Sequence, residues 1–345
     1  ELADLRKPTG VAGEAMLRAE TPQEQFQLIG AGRRNWVING DFQVSQRGTF
    51  TTASSATDTA YTVDRFKNFV KNINANVLHT KATTVAGEIK NTLKMTATNT
   101  NSAGRLGFRQ YIESGSNGRT PLAGKLATLS VWMKSNNSNA GFYLYDYGNA
   151  GYFYRVKHSG GGQWEKLTLT VPIGTGVTSS NYYGYELNFA MQGNTNGGVN
   201  ITAGDYVEIA EPQFELGKVA TPFEHRSFAE ELAACQRYYF NADNAAGNFL
   251  GRGLMGSHWN TAYLGIHIPY PVPMRANPTA TTTSGSPHII YNVAFVAGGV
   301  TANYNSVEHI NHKNANLNFY QMSSSFATGT PVSVSKISVQ FDAEL

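Results

Sequence analysis

Between Trp36 and Glu211 the apolar and polar positions alternate with a period of two. Val37–Asn39, Asn76–Thr80, Leu93–Thr96, Arg105–Ile112, Ala127–Lys134, Gly141–Tyr147, Tyr152–Val156, Glu165–Val171, Tyr183–Ala190 and Tyr206–Glu211 read as strands separated by Gly, Asn and Ser turns. No long helical period interrupts them. Many half-apolar strands without intervening helices bury their faces best as a two-sheet antiparallel jelly roll.

The period is helical at two places. Thr21-Pro22-Gln23-Glu24 combines a capping residue, proline at the first helical position and a glutamate three residues after the cap, so a short helix over residues 21–30 follows, stopped by Gly30. Ser227-Phe228-Ala229-Glu230 is a second capping box. After it Phe228, Leu232, Cys235 and Tyr239 recur at i, i+4, i+7 and i+11, which predicts one helix of about three turns. Cys235 falls on the apolar face and reads as a small buried hydrophobe.

Beyond this helix strands return at Tyr263–Ile268, His288–Ala297, Asn316–Met322 and Val332–Phe341. The last of these slips by one residue at Ser335-Lys336, the mark of a β-bulge. Pro269, Pro271, Pro273 and Pro278 stiffen the connection after the first. The expected architecture is all-β: an antiparallel jelly-roll β-sandwich, one short helix and a second, smaller β-sandwich, preceded by a short N-terminal helix. The boundaries expected are 1–34 for the linker and first helix, 35–226 for the jelly roll, 227–240 for the connecting helix and 241–345 for the C-terminal β-domain.

Composition agrees with this division and narrows the chemistry. Of 345 residues only 15 % are charged, and 27 basic against 24 acidic residues leave a formal charge of +3 without a run of like charge. The electrostatic footprint of a nucleic-acid binder is missing. A single cysteine excludes an intrachain disulfide framework, and no apolar stretch approaches the roughly 18 residues that insert into a membrane. An opening on Glu1 rather than Met reads as a processed or truncated chain.

Catalytic signatures are absent. No nucleophile elbow or phosphate loop occurs, and Asp146, Glu186 and Asp205 are acids that sequence alone does not place across a cleft. The expectation is a protein that is not an enzyme and carries no catalytic residue. His309 and His312 have the spacing of paired metal ligands but read as loop histidines, and Gly160-Gly161-Gly162 reads as a hairpin loop.

The tyrosines carry more information. Alternation sends Tyr143, Tyr145 and Tyr147 to one face of their strand, Tyr152 and Tyr154 to one face of the next, and Tyr183 and Tyr185 repeat the arrangement. In one sheet these rows would form an aromatic, hydroxyl-bearing surface suited to the apolar face of a sugar. The other reading is that one row is core and the other solvated strand surface, or that the surface lies between subunits.

The stretch from Gly32 to Val44, with Gln46-Arg47-Gly48-Thr49 and then Tyr61 to Arg65, resembles the start of a module found in bacteriophage tail-fibre and virion structural proteins. Gln213–Gly217, Ala220–Arg226, Glu230–Leu232 and Cys235–Tyr239 are similar to its closing strand and helix, and Met274–Thr279 with Phe341–Leu345 to its C-terminal companion. The resemblance implies a carbohydrate-binding-module-like jelly roll on a homotrimeric tail fibre of the virion, in contact with other tail proteins and with host cell-surface polysaccharide. Alternatives are the accessory module of a polysaccharide-degrading enzyme and a purely structural adaptor. The resemblance also implies a structural calcium, with Asp41, Asp64 and Glu208 as candidate carboxylates. From the residues alone, Asp41 caps a turn and Asp64 pairs with Arg65 or another base.

Overall fold

The computed structural model describes residues 34–48, 50, 54–83, 89–113, 122–147, 152–175, 183–193, 197–242, 254–260, 263–282, 288–292, 300–308, 313–320, 331–336 and 339–344. The helix expected over residues 21–30 and the pair His309 and His312 lie outside them. The chain divides into two compact units that are not contiguous in sequence. The first takes its described residues from 34–41, Thr52–Thr59 and Asn68–His225, and the second from Phe42–Thr51, Ala60–Lys67 and Arg226–Leu345.

The first unit is a β-sandwich. One sheet has the order β1 (Ser54–Ala56), β3 (Ala75–Thr83), β4 (Ile89–Ala97), β12 (Tyr206–Leu216), β6 (Leu126–Ser135), β9 (Trp164–Pro172). The other runs β11 (Val199–Ile201), β5 (Asn101–Glu113), β10 (Tyr183–Met191), β7 (Ala140–Asp146), β8 (Tyr152–Lys157), with β2 (Lys67–Lys71) against β5. The pairs along the strand order of each sheet are antiparallel. Alternation places Leu93, Met95, Leu129, Val131, Met133, Val207, Ile209 and Phe214 of the first sheet in the core, together with Leu106, Phe108, Phe142, Leu144, Leu187 and Phe189 of the second. The Phe142 and Phe189 rings, directly opposite in register, stack at 5.6 Å.

Two local expectations change. Val37–Asn39 is a turn rather than a strand. Its backbone is held by side chains instead of a ladder: Ile38 N–H donates to Gln110 Oε1 at 2.9 Å, Gln110 Nε2 returns to the Ile38 carbonyl at 2.8 Å, and Asn39 takes φ 61°. Gly160–Gly162 is not a hairpin, because β8 pairs with β7 while β9 pairs with β6, so the loop carries the chain from one sheet to the other. At Gly160, φ is +87° and a Cβ would meet Ser138 N at 2.5 Å, so only glycine fits that crossing.

The second unit begins its C-terminal part with α1 (Phe228–Gln236). The capping box is complete: the Ser227 hydroxyl accepts from Glu230 N–H, and the Glu230 carboxylate accepts from Ser227 N–H at 3.0 Å. Cys235 is buried as expected, but Phe228 is 55 % exposed, and Glu231 takes a buried place beside Arg226, 3.3 Å away. Within the all-β class, the smaller domain is a three-stranded sheet and a barrel rather than a second sandwich. The sheet runs β13 (Tyr239–Asn241), β21 (Val339–Asp342), β16 (Thr279–Thr282). The barrel closes six strands in the order β14 (Leu254–Asn260), β15 (Tyr263–Pro269), β19 (Asn314–Tyr320), β18 (Val300–Glu308), β17 (His288–Asn292), β20 (Pro331–Lys336). Closure leaves no free strand edge.

The run expected as one strand, Val332–Phe341, is therefore two strands in two different sheets. The bulge is nonetheless there: Ile289 faces Lys336 and Ile290 faces Val334, leaving Ser335 without an opposite.

Candidate functional site

Register decides which tyrosines share a face. β7 and β8 pair with Tyr143 opposite Arg155, Tyr145 opposite Phe153 and Leu144 opposite Tyr154. Directly opposed residues point to the same side of a sheet. Tyr143 and Tyr145 therefore share the outward face with Phe153 and Arg155, while Tyr154 occupies the register position of Leu144 on the core side and Tyr152 pairs with Asp146 in the ladder. The expected five-tyrosine platform does not form, because a one-residue change of register exchanges faces. The Tyr154 hydroxyl donates instead to the Pro172 carbonyl of the opposite sheet at 3.1 Å. Tyr185 is core too, with its ring against Phe214 of β12 at 5.6 Å. Tyr183 stands opposite Glu113, just before the register irregularity that precedes Tyr185.

On the outward face, β10 supplies Glu186 beside Tyr145 and Asn188 beside Tyr143, and β5 supplies Tyr111 and Arg109 beyond them. Tyr143 is 0 % exposed. Its hydroxyl lies 2.8 Å from the Gln192 carbonyl and 3.0 Å from that of Asn139, so this ring is anchored in the sheet. Burial pushes its pKa up to about 12. Tyr145, Tyr147 and Phe153 are half-buried and contiguous: Tyr145 lies 4.7 Å from Tyr147 and 6.3 Å from Phe153, and Phe153 stacks on Tyr143 at 5.5 Å.

A polar chain runs beside these rings. The Tyr147 hydroxyl donates to Glu186 Oε2 at 2.8 Å, the other Glu186 oxygen lies 3.5 Å from the Arg109 guanidinium, and Arg109 reaches Asp58 at 3.8 Å. Next to Arg109, the Asn188 side chain is fully buried, and neither its Nδ2 nor its Oδ1 has a hydrogen-bond partner among the described residues. Buried amides without partners are rare and mark places where another polar group belongs. Arg155 and Lys157 are exposed on the same face. The arrangement offers half-buried rings for an apolar ring face, an amide with both donor and acceptor, and cationic donors at the strand edge. Phe153, Glu186, Arg109 and Asn188 are additions to the tyrosine rows. Alternation along each strand was visible in sequence, but only the hairpin register assigns strands to a common face.

Among the described residues no group of three or more His, Cys, Asp or Glu side chains could hold a metal ion. The calcium candidates do not make a donor set. Asp64 lies in the second unit and Asp41 and Glu208 in the first; Asp64 accepts from Gln46 N–H and Nε2, Glu208 accepts from the Thr92 hydroxyl at 2.9 Å, and the Asp41 carbonyl accepts from Asn91 Nδ2. As for paired acids, Asp146 is on the core side, where it accepts from Gly174 N–H, and Glu186 faces outward. Asp205 holds a turn through Asn137 Nδ2 and Thr202 N–H.

The motifs that carried the resemblance assemble into two polar staples. In the first unit, the backbone N–H groups of Arg34 and Asn35 donate to the two Glu224 oxygens at 2.9 and 2.8 Å, and Asn35 Oδ1 accepts from Val37 and Phe214 N–H, each at 3.0 Å. In the second unit, the Arg47 guanidinium stacks 3.5 Å from the Tyr239 ring centroid and 4.4 Å from that of Tyr61. It stands 3.2 Å from Asp342, 3.4 Å from Glu344 and 3.7 Å from Asp64. Arg65 pairs with Glu344 and lies 3.6 Å over the Tyr238 ring, and Arg275 Nε donates to the Ala343 carbonyl at 2.9 Å. Asp64 thus faces Arg47, and Arg65 is committed elsewhere.

No protein-family model matches the chain, and no curated protein matches it. Among solved structures it is similar to the enzymatically active domain of tailspike protein 4 of bacteriophage CBA120, at 15 % identity and TM-score 0.31, over 53 % of this chain and 21 % of that one. It is similar to TmCBM61 in complex with beta-1,4-galactotriose at 16 % identity and TM-score 0.29, over 54 % of this chain and 100 % of that one. The xylan-binding domain from CBM 22 aligns at 14 % identity and TM-score 0.28, over 50 % of this chain and 99 % of that one. At such scores the sandwich architecture stands on the chain's own sheet topology.

Proposed function

We propose that this chain is a structural, non-enzymatic component of a phage tail fibre or related virion appendage that attaches to a host by binding a cell-surface glycan, and that it acts as a homotrimer. The observation that carries the binding reading is the outward face of the second sheet. There the half-buried rings of Tyr145, Tyr147 and Phe153 lie beside the Tyr147–Glu186–Arg109 chain and the unpartnered Asn188 amide. Rings of this kind cover the C–H face of a pyranose, while Arg and amide groups exchange hydrogen bonds with its hydroxyls. The spread of motif residues through both units supports the virion reading.

The test is a glycan array probed with the full chain and with Tyr145→Ala and Tyr147→Ala variants. Wild type is expected to bind a restricted set of glycans and each variant to lose at least tenfold in affinity for them. Unchanged binding in both variants would remove this face as the site. Light scattering on the same samples reads the trimer.

A further inference from the structure

A second aromatic surface lies on the other sheet and is independent of the face just described. In β6 the core positions are Val131 and Met133, so Trp132 and Lys134 point outward. In β12 the core positions Val207 and Ile209 send Glu208 and Ala210 outward, and in β4 Leu93 and Met95 do the same for Lys94. Register then aligns two rows. Lys94, Glu208, Lys134 and Trp164 stand side by side on four neighbouring strands, and in the next row Ala210, Trp132 and Lys166 are adjacent. Neighbouring strands are about 4.8 Å apart and diagonal neighbours about 7–8 Å, so Lys166 and Lys134 are near neighbours of Trp132, and Lys94, two strands across, is within the span of about two sugar rings.

The side chains fit that geometry. Trp132 is half-buried, with only the methyl group of Ala210 beside it on β12, so one flank of the indole has no bulky neighbour in its row. Lys166 is exposed, Lys134 is half-buried, and neither makes an ion pair among the described residues; Lys94 lies 4.3 Å over the Tyr206 ring. The one carboxylate in the two rows, Glu208, is buried and accepts from Thr92. Three ammonium groups against one carboxylate leave an excess of positive charge around an indole on the polar side of the sheet, where alternation otherwise places Ser130 and the exposed Thr168 and Thr170.

We propose that this Trp132-centred face binds a carboxylate-bearing polysaccharide, the indole covering a pyranose ring and Lys94, Lys134 and Lys166 meeting the acid groups on either side. Charge complementarity selects this occupant over a neutral chain, for which three lysines would be idle, and over a nucleic acid, for which the basic surface is too small.

The experiment measures binding of the full chain to oligogalacturonate, oligoalginate and oligosialic acid by calorimetry, with methyl-esterified oligogalacturonate as the neutral counterpart. At least one acidic oligomer is expected to bind, with affinity falling as salt rises. Esterification, Trp132→Ala and the triple change Lys94→Gln, Lys134→Gln, Lys166→Gln should each weaken it at least tenfold, while thermal midpoints stay near wild type. Tyr145→Ala and Tyr147→Ala should leave this binding intact, which separates it from the other face. Absence of binding to all three acids overturns the proposal. So does acidic binding that survives Trp132→Ala and the lysine changes, or that is lost with Tyr145→Ala instead.

Discussion

The Arg65 guanidinium and the Glu344 carboxylate pair inside the second unit, 279 residues apart in the chain and both nearly inaccessible to water. Removing one member of a buried pair strands the other charge, so Glu344→Ala is expected to cost roughly 3–5 kcal/mol. Glu344→Gln, which keeps an acceptor, should cost less. Urea midpoints of the variants compared with wild type check the order, and equal midpoints for Glu344→Ala and wild type would rule out a structural role for the pair.

Asp64 gives this network a pH signature. Burial, opposed by Arg47 and the Gln46 hydrogen bonds, pushes its pKa up to about 6, against about 3.9 for an unperturbed aspartate. Between those values the folded state holds a proton that the unfolded chain has lost. Its contribution to stability is therefore fully present below about pH 4 and is lost as pH rises through about 6, by on the order of 3 kcal/mol. Urea unfolding from pH 4 to 7 should show this downward slope, and Asp64→Asn should flatten it.

Tyr143 and Tyr145 are two residues apart on one face and should respond differently to substitution. Tyr143→Phe removes the hydroxyl donor shared by the buried Gln192 carbonyl and the part-buried Asn139 carbonyl and is expected to cost about 1–3 kcal/mol of stability. Glycan affinity should stay unchanged, and Tyr145→Ala should reverse the pattern. Thermal melts and glycan titrations on both variants distinguish anchor from platform.

Ser227→Ala removes the side-chain acceptor of the capping box at the start of α1. A loss of about 1 kcal/mol is expected from denaturant melts, with Ser227→Asp close to wild type.

Burial pushes the Cys235 thiol well up from its ordinary value. Little thiolate forms at neutral pH, and a thiol reagent in native buffer is expected to label Cys235 only as fast as the second unit opens. Rapid labelling of folded protein would contradict its place on the buried side of α1.

Strand positions in the sandwich were legible because alternation is local: the runs around Leu93, Phe108, Leu129 and Phe189 fall inside strands whose ends move by a few residues. Three short strands, β1, β2 and β11, were missed because three to five residues carry too little period. The faces were not legible. Tyr154 and Tyr145 look equivalent in sequence and part company only through the β7–β8 register. Trp132 left a trace, since it interrupts the polar series Thr128, Ser130, Lys134 on its strand. The motif residues were legible as a resemblance, but their work as staples joins Arg34 to Glu224 and Arg47 to Glu344, distances in sequence that no local pattern encodes.

The second unit draws its segments Phe42–Thr51 and Ala60–Lys67 from ahead of nearly the whole sandwich, and the partners of Arg47 and Arg65 lie 297 and 279 residues downstream in Glu344. During synthesis those two early segments emerge with only each other to contact, long before the helix, strands and acids at the far end of the chain that complete their unit. The sandwich can gather its strands while they wait. Closure of the second unit is thus a late, long-range event in the life of the chain, and a ribosome that stops short of Asp342 and Glu344 leaves Arg65 without its acid and Arg47 with Asp64 alone.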